Sequence, residues 1–229
     1  MLASLWKKLQ ESRAAERDDA GLVTDARRSR IIVLVALIIG GSLLAWTLRL
    51  PAGDPLFYVG TIALGSVWLA AWWATGRPFR GEPGSVVPGL VVGVAVLVVF
   101  LLGAGVVAQI PFLAAQVDAL LAHARWGALP LVAVITAFNG ITEELFYRGA
   151  VYGSFLGKHP VLVSTAAYTA VTALSGLPLL AFAAAVLGFA NGTLRRVTGG
   201  LIAPILCHLT WSLGMLFLLG PTLNLWRLS

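Results

Sequence analysis

Long apolar runs separated by short polar segments make up most of this chain, at residues 31–48, 56–74, 86–108, 128–147, 161–175, 177–192 and 201–219. About 20 apolar residues in a helix cross the hydrocarbon core of a bilayer, which is roughly 30 Å thick. The pattern therefore predicts an all-α, polytopic membrane protein of about seven transmembrane helices. The breaks read as connections: Pro51, Gly53, Asp54 and Pro55 make a turn, and residues 76–88 hold Arg77, Arg80 and three prolines. Residues 111–127 mix Pro111, Gln116, Asp118, His123, Arg125 and Trp126 among apolar positions, a composition suited to the membrane interface. Residues 175–178 leave room only for a tight hairpin between the fifth and sixth runs. Trp68, Trp72 and Trp73 fall near the end of the second run, as interface anchors would. Asn191 and Gly192 close the sixth run and read as a helix C-terminus.

Composition sharpens this picture. Apolar residues are 59% of the chain and charged ones 11%, against about 25% charged in a soluble domain. So few charges cannot coat a water-facing surface, which excludes a soluble enzyme, and so apolar a chain is not disordered. The formal net charge of +6 would point to nucleic acid in a soluble protein; here it points to basic residues holding helix ends on the cytoplasmic side. With the N-terminus inside and seven spans, thirteen of the sixteen basic residues fall in cytoplasmic segments, leaving Arg49, Arg125 and Arg227 on the other side. The expectation is a multi-pass plasma-membrane protein with a cytoplasmic N-terminus, the bilayer as its first partner and no nucleic acid. It divides into a polar arm at 1–30 and a transmembrane bundle at 31–229. In the arm, Leu2, Leu5, Trp6 and Leu9 follow helical spacing beside Lys7 and Lys8, as in a helix lying on the membrane; a solvated arm is the alternative. No secretory signal is evident. Cys207 is the single cysteine, so no internal disulfide forms, and it reads as a small core residue.

Ionisable groups inside spans are costly and mark function by default. The fourth run ends in Asn139-Gly-Ile-Thr-Glu143-Glu144-Leu-Phe-Tyr-Arg148. Glu144 and Arg148 are four apart and pair on one helix face, which by itself is a structural salt bridge. Glu143 shares another face with Asn139 and Tyr147 and has no basic residue four positions away. It is either a candidate general base or an interfacial carboxylate reaching water. On the seventh run His208 and Ser212 share a face, as Tyr168 and Thr172 do on the fifth. His208 alone fits a core histidine bonded to a carbonyl as well as it fits a site. Thr172 fits a hydroxyl bonded back to its own helix. Glu143, His208, Ser212 and Thr172 in one cavity would make a water-containing site within the bilayer.

The stretch Glu143-Glu144-Leu-Phe-Tyr-Arg148 resembles the EExxxR motif of the CPBP family, which comprises CAAX prenyl proteases and bacteriocin-processing or immunity proteins, also called Abi proteins. Downstream, Leu187-Gly-Phe-Ala-Asn191-Gly192, Arg195-Arg196, Thr198-Gly-Gly200, Pro204 and His208 are similar to the family's approach to its last motif. The likeness covers about residues 128–216. It implies an intramembrane endopeptidase in which Glu143 is the general base, Glu144 and Arg148 support it, and His208 lies on the oxyanion or metal side. It also implies membrane-anchored peptide or protein substrates and a divalent metal, zinc. Two positions depart from the pattern. Thr172 stands where the second motif has histidine, with Tyr168 for its phenylalanine, and Ser212 stands where the last motif has asparagine. The loss at 172 removes a base and a metal ligand, leaving Glu143 and His208 where a catalytic zinc takes three protein ligands. Two functions remain: slow intramembrane peptide hydrolysis by Glu143-activated water, or a catalytically inactive relative acting in membrane binding, immunity or scaffolding.

Overall fold

The computed structural model describes residues 26–81, 83–126, 128–156 and 159–228. The expected surface helix around Leu2–Leu9 lies outside them. Among the described residues eight long helices run in order, with a single 3-10 turn at Pro83–Ser85: α1 (Ala26–Thr47), α2 (Pro55–Ala74), α3 (Val86–Ala108), α4 (Pro111–Trp126), α5 (Leu129–Ser154), α6 (Pro160–Ala173), α7 (Pro178–Thr198) and α8 (Ile202–Leu228). No strand occurs among the described residues. Six of these helices, all but α4 and α6, are long and apolar enough to cross a membrane. The fifth expected span, α6, has 14 residues and rises about 21 Å at 1.5 Å per residue, short of the full hydrocarbon thickness.

Local chemistry sets the boundaries. Asp54 caps α2 by accepting from the Leu56 N–H at 2.8 Å, and Pro55 follows at the first helical position, where its missing N–H costs nothing. Prolines likewise open α5, α6 and α7. Helix α7 does not end at Asn191 and Gly192 as the sequence pattern predicts. It runs on to Thr198 and stops at Gly199, whose φ of 71° is the left-handed cap that glycine adopts without strain. Turn-forming residues are weak stop signals when the helix around them is packed on both sides.

The apolar surface faces outward. Ile38, Val59, Trp73, Val87, Val99, Leu102 and Val106 are among the exposed large side chains, which is the surface a bilayer covers. Of the tryptophans expected at the interface, Trp73 is exposed but Trp68 is not. It is 1% exposed and stacks on Phe146 with ring centroids 4.4 Å apart. With Val33, Leu64, Tyr147 and Val171 it forms a core shared by α1, α2, α5 and α6. Helix α4 packs Val117 and Leu121 against Ala104 of α3 and Leu223 of α8, and His123 meets the Leu50 carbonyl at 3.1 Å. It thus closes the end of the bundle at which α1 stops. Arginines gather at the other end, where Arg30 and Arg77 donate to the carbonyls of Ser154 and Gly153 at the close of α5.

Two close helix approaches place the site. Gly188 and Gly192 of α7 abut α6: a Cβ at 188 would lie 3.1 Å from Thr165 and one at 192 would lie 3.0 Å from Val161. On α3, a Cβ at Gly93 would come within 2.9 Å of the Cys207 carbonyl oxygen of α8. Small residues at four-residue spacing let membrane helices pack backbone to backbone, and these contacts bring α6, α7 and α8 around the end of α5.

Candidate functional site

From Leu145 to Val151 the backbone of α5 widens into a π-helical segment whose seven residues are all buried. Such bulges occur frequently at functional sites. Glu143 and Glu144 immediately precede it, at its junction with the α-helical part.

Glu144 is fully buried, and one of its oxygens, Oε1, accepts three hydrogen bonds. Arg148 donates from 3.1 Å, Asn191 Nδ2 from 2.9 Å and His208 Nδ1 from 2.7 Å. Helices α5, α7 and α8 therefore meet at a single carboxylate oxygen. Arg148, also fully buried, donates its second terminal nitrogen to the Gly188 carbonyl at 3.0 Å. Arg195 Nε in turn donates to the Arg148 carbonyl at 3.3 Å. The Glu144–Arg148 pair is thus the i,i+4 pair that the spacing predicts, embedded in a wider network.

His208 is 5% exposed. With Nδ1 committed to Glu144, its Nε2 faces Glu143 Oε2 at 3.9 Å, beyond direct hydrogen-bonding range. The same Glu143 oxygen accepts a hydrogen bond from the Tyr168 hydroxyl at 2.7 Å. Glu143, Tyr147, Tyr168 and Thr172 share the wall of a cavity of about 80 Å³ with Leu44, Leu64, Trp68, Val171 and Leu180. That is room for more than one water beside a carboxylate.

The remaining predicted residues stand further back. Thr172 lines the cavity, but its hydroxyl donates to the Tyr168 carbonyl at 2.8 Å, back onto its own helix. Asn139 Nδ2 donates to Ile135 O at 3.0 Å, one turn back. Ser212 lies one turn beyond His208, and its buried Oγ has no hydrogen-bond partner. The single cavity expected for Glu143, His208, Ser212 and Thr172 is in fact split: Glu143 and Thr172 face the space, whereas His208 approaches Glu143 without forming part of its wall. Cys207 is fully buried, with its thiol free.

Sequence reasoning read Asn191 as a helix end, Tyr168 as a companion of Thr172 and a substitute for phenylalanine, and Gly188 as part of the family-like stretch, and missed the contacts each makes at the site. A signal for Asn191 was available: Ala184, Leu187, Asn191 and Arg195 recur at three- and four-residue spacing, and all are buried on one face of α7. An asparagine inside such a stripe must find a partner in the core.

No group of three His, Cys, Asp or Glu side chains among the described residues is placed to hold a metal ion. The Thr172 hydroxyl is a neutral donor engaged with the Tyr168 carbonyl, and His208 spends one ring nitrogen on Glu144. This donor set does not fit a three-ligand catalytic zinc.

Residues 125–214 match the family described as type II CAAX prenyl endopeptidase Rce1-like. The matched stretch holds every residue of the Glu143–Glu144–His208 cluster and leaves the first three helices outside. No curated protein and no solved structure matches the chain.

Proposed function

Starting from a chain whose residues 125–214 match the type II CAAX prenyl endopeptidase Rce1-like family, we propose that it is an intramembrane endopeptidase of the CPBP type. Its substrate is a membrane-associated peptide or protein, and its nucleophile is a water held by Glu143. The observation that carries this reading is a carboxylate on a cavity wall inside an apolar bundle, with an imidazole nitrogen 3.9 Å away.

The cluster suits peptide hydrolysis. Buried charges persist when they are paired, and Glu143, Glu144, Arg148 and an imidazolium at His208 sum to zero. Glu143 takes a proton from water as the hydroxide oxygen attacks the scissile carbonyl carbon. His208, protonated on both nitrogens and anchored through Nδ1 to Glu144, donates Nε2–H to the developing oxyanion, a stabilisation that is strongest where water is excluded. Collapse of the tetrahedral intermediate breaks the C–N bond, and Glu143 hands its proton to the departing amine.

Cleavage of a membrane-anchored peptide by the purified protein in liposomes tests this reading. Glu143→Ala is expected to lower the rate by about 10²–10⁴-fold, as loss of a general base does. Cleavage at the unaltered rate would overturn the mechanism. Metal analysis of the same preparation is expected to find zinc well below one atom per chain; one tightly held atom per chain would overturn the metal-free route.

One observation favours a second reading, a family member that binds without cleaving: the Thr172 hydroxyl bonds its own helix and supplies no base. Under that reading no peptide is cleaved, and Glu143→Gln leaves partner binding unchanged.

A further inference from the structure

We infer that the Tyr168 hydroxyl fills the place left by the missing imidazole at position 172 and holds the nucleophilic water together with Glu143. This rests on the peptidase reading and deepens it. Tyr168 of α6 reaches the base directly: its hydroxyl donates to Glu143 Oε2 at 2.7 Å, a length typical of a charge-assisted bond. A phenol that donates to the carboxylate keeps its own oxygen lone pairs as acceptors. A water in the cavity that Glu143 and Tyr168 both line can therefore donate one proton to Glu143 and the other to the phenol oxygen. Its lone pair is then free for the carbonyl carbon. Thr172, one turn further along α6, gives its only hydroxyl proton to the Tyr168 carbonyl and so does not donate to Glu143 as the phenol does.

The ring is held so that its hydroxyl stays in place. The Tyr147 ring packs on it at 4.7 Å, and the Arg148 guanidinium sits 5.1 Å from its centroid. The backbone of α7 closes the third side at Gly188, where an added Cβ would lie 3.4 Å from Tyr168 Cδ1. Each contact comes from an element that also holds Glu144, so the phenol and the carboxylate cluster are one rigid assembly. Ordering a donor and acceptor before the reaction lowers the entropy lost on reaching the transition state. Tyr168 acts here as a positioning residue: it touches the base and the water, and the proton transferred in the reaction goes to Glu143.

Four chains in liposomes test this, each assayed for kcat and KM on one membrane-anchored peptide: wild type, Tyr168→Phe, Thr172→His and the double variant. Tyr168→Phe is expected to lower kcat by about 10²-fold, the loss typical of a misplaced reacting group, with KM nearly unchanged, which marks an interaction made in the transition state. Thr172→His is expected to restore much of that loss in the Tyr168→Phe background and to do far less in the wild type. The Glu143 carboxylate stretching band, identified in infrared spectra by its absence in Glu143→Gln, is expected to shift in Tyr168→Phe. An unchanged kcat in Tyr168→Phe, or a Thr172→His gain as large in the wild type as in the Phe background, would overturn this inference while leaving the peptidase reading intact. A wild type that cleaves nothing overturns the peptidase reading, and this inference with it.

Discussion

One carboxylate oxygen ties three helices together, and that sets what substitutions at Glu144 will do. Glu144→Gln keeps the size of the side chain but removes the charge that Arg148 and His208 share. Removing one partner of a buried ion pair costs about 3–5 kcal/mol. A clear fall in the unfolding midpoint in detergent is the expected outcome; an unchanged midpoint would mean the contacts contribute little as charges. The change also frees the His208 ring to turn, so activity falls even where folding survives. The Glu144–Arg148 half of this network is legible in the sequence because four-residue spacing is a local property. The Asn191 and His208 contacts are not, because they arise 47 and 64 residues away and depend on which helices become neighbours. The Tyr168–Glu143 bond escapes for the same reason: a tyrosine in place of phenylalanine looks conservative until its hydroxyl has something to reach.

Among the elements, α7 shows most plainly how helix packing makes the site. Its glycine at 188 leaves space for Arg148 and Tyr168, whose atoms would lie 3.4 Å from an added Cβ. Gly188→Leu would drive a branched side chain into both. Overpacking of this kind costs about 1–3 kcal/mol and here displaces the groups on which the chemistry depends. The expected result is a folded but nearly inactive protein, with Gly188→Ala intermediate, measured by cleavage rate against thermal stability. Equal activity in all three would show that the α6–α7 approach does not position the site. Element existence was readable throughout because apolar runs of this length leave few alternatives. Element ends were less so. Asn191-Gly192 looks like a terminus by composition, yet the buried stripe continues through it. The π-helical turn after Glu144 gives no signal in hydrophobic periodicity, since every residue across it is buried.

The molecule as a whole has an apolar outer surface, an apolar core that encloses the charged cluster around Glu144, and arginines that favour one end. If the asymmetry of basic residues sets orientation, the residue 195–196 region and the 48–54 loop lie on opposite sides, with the arginines inside. Cysteine labelling with impermeant maleimide in oriented vesicles checks this. Arg196→Cys is expected to react from the cytoplasmic side and Pro51→Cys from the other. Buried Cys207 is not expected to compete. Labelling of both from one side would overturn the orientation. The apolar outer surface was legible from composition alone, whereas the split between the cavity facing Glu143 and the histidine behind it was not.

The short α6 also bears on how a hydrolase inside a bilayer obtains its water. A helix of 14 residues beside neighbours of 20 or more cannot match the lipid thickness they set. A membrane relieves such mismatch by thinning locally. Headgroups and their hydration are then drawn inward along the lipid-facing side of α6, where Leu162 is exposed, and so nearer the chamber that Tyr168 and Glu143 line. Catalysis becomes a function of the host membrane: turnover is expected to fall as the acyl chains of the reconstituting lipid lengthen, because each added methylene carries the hydration layer further from the base.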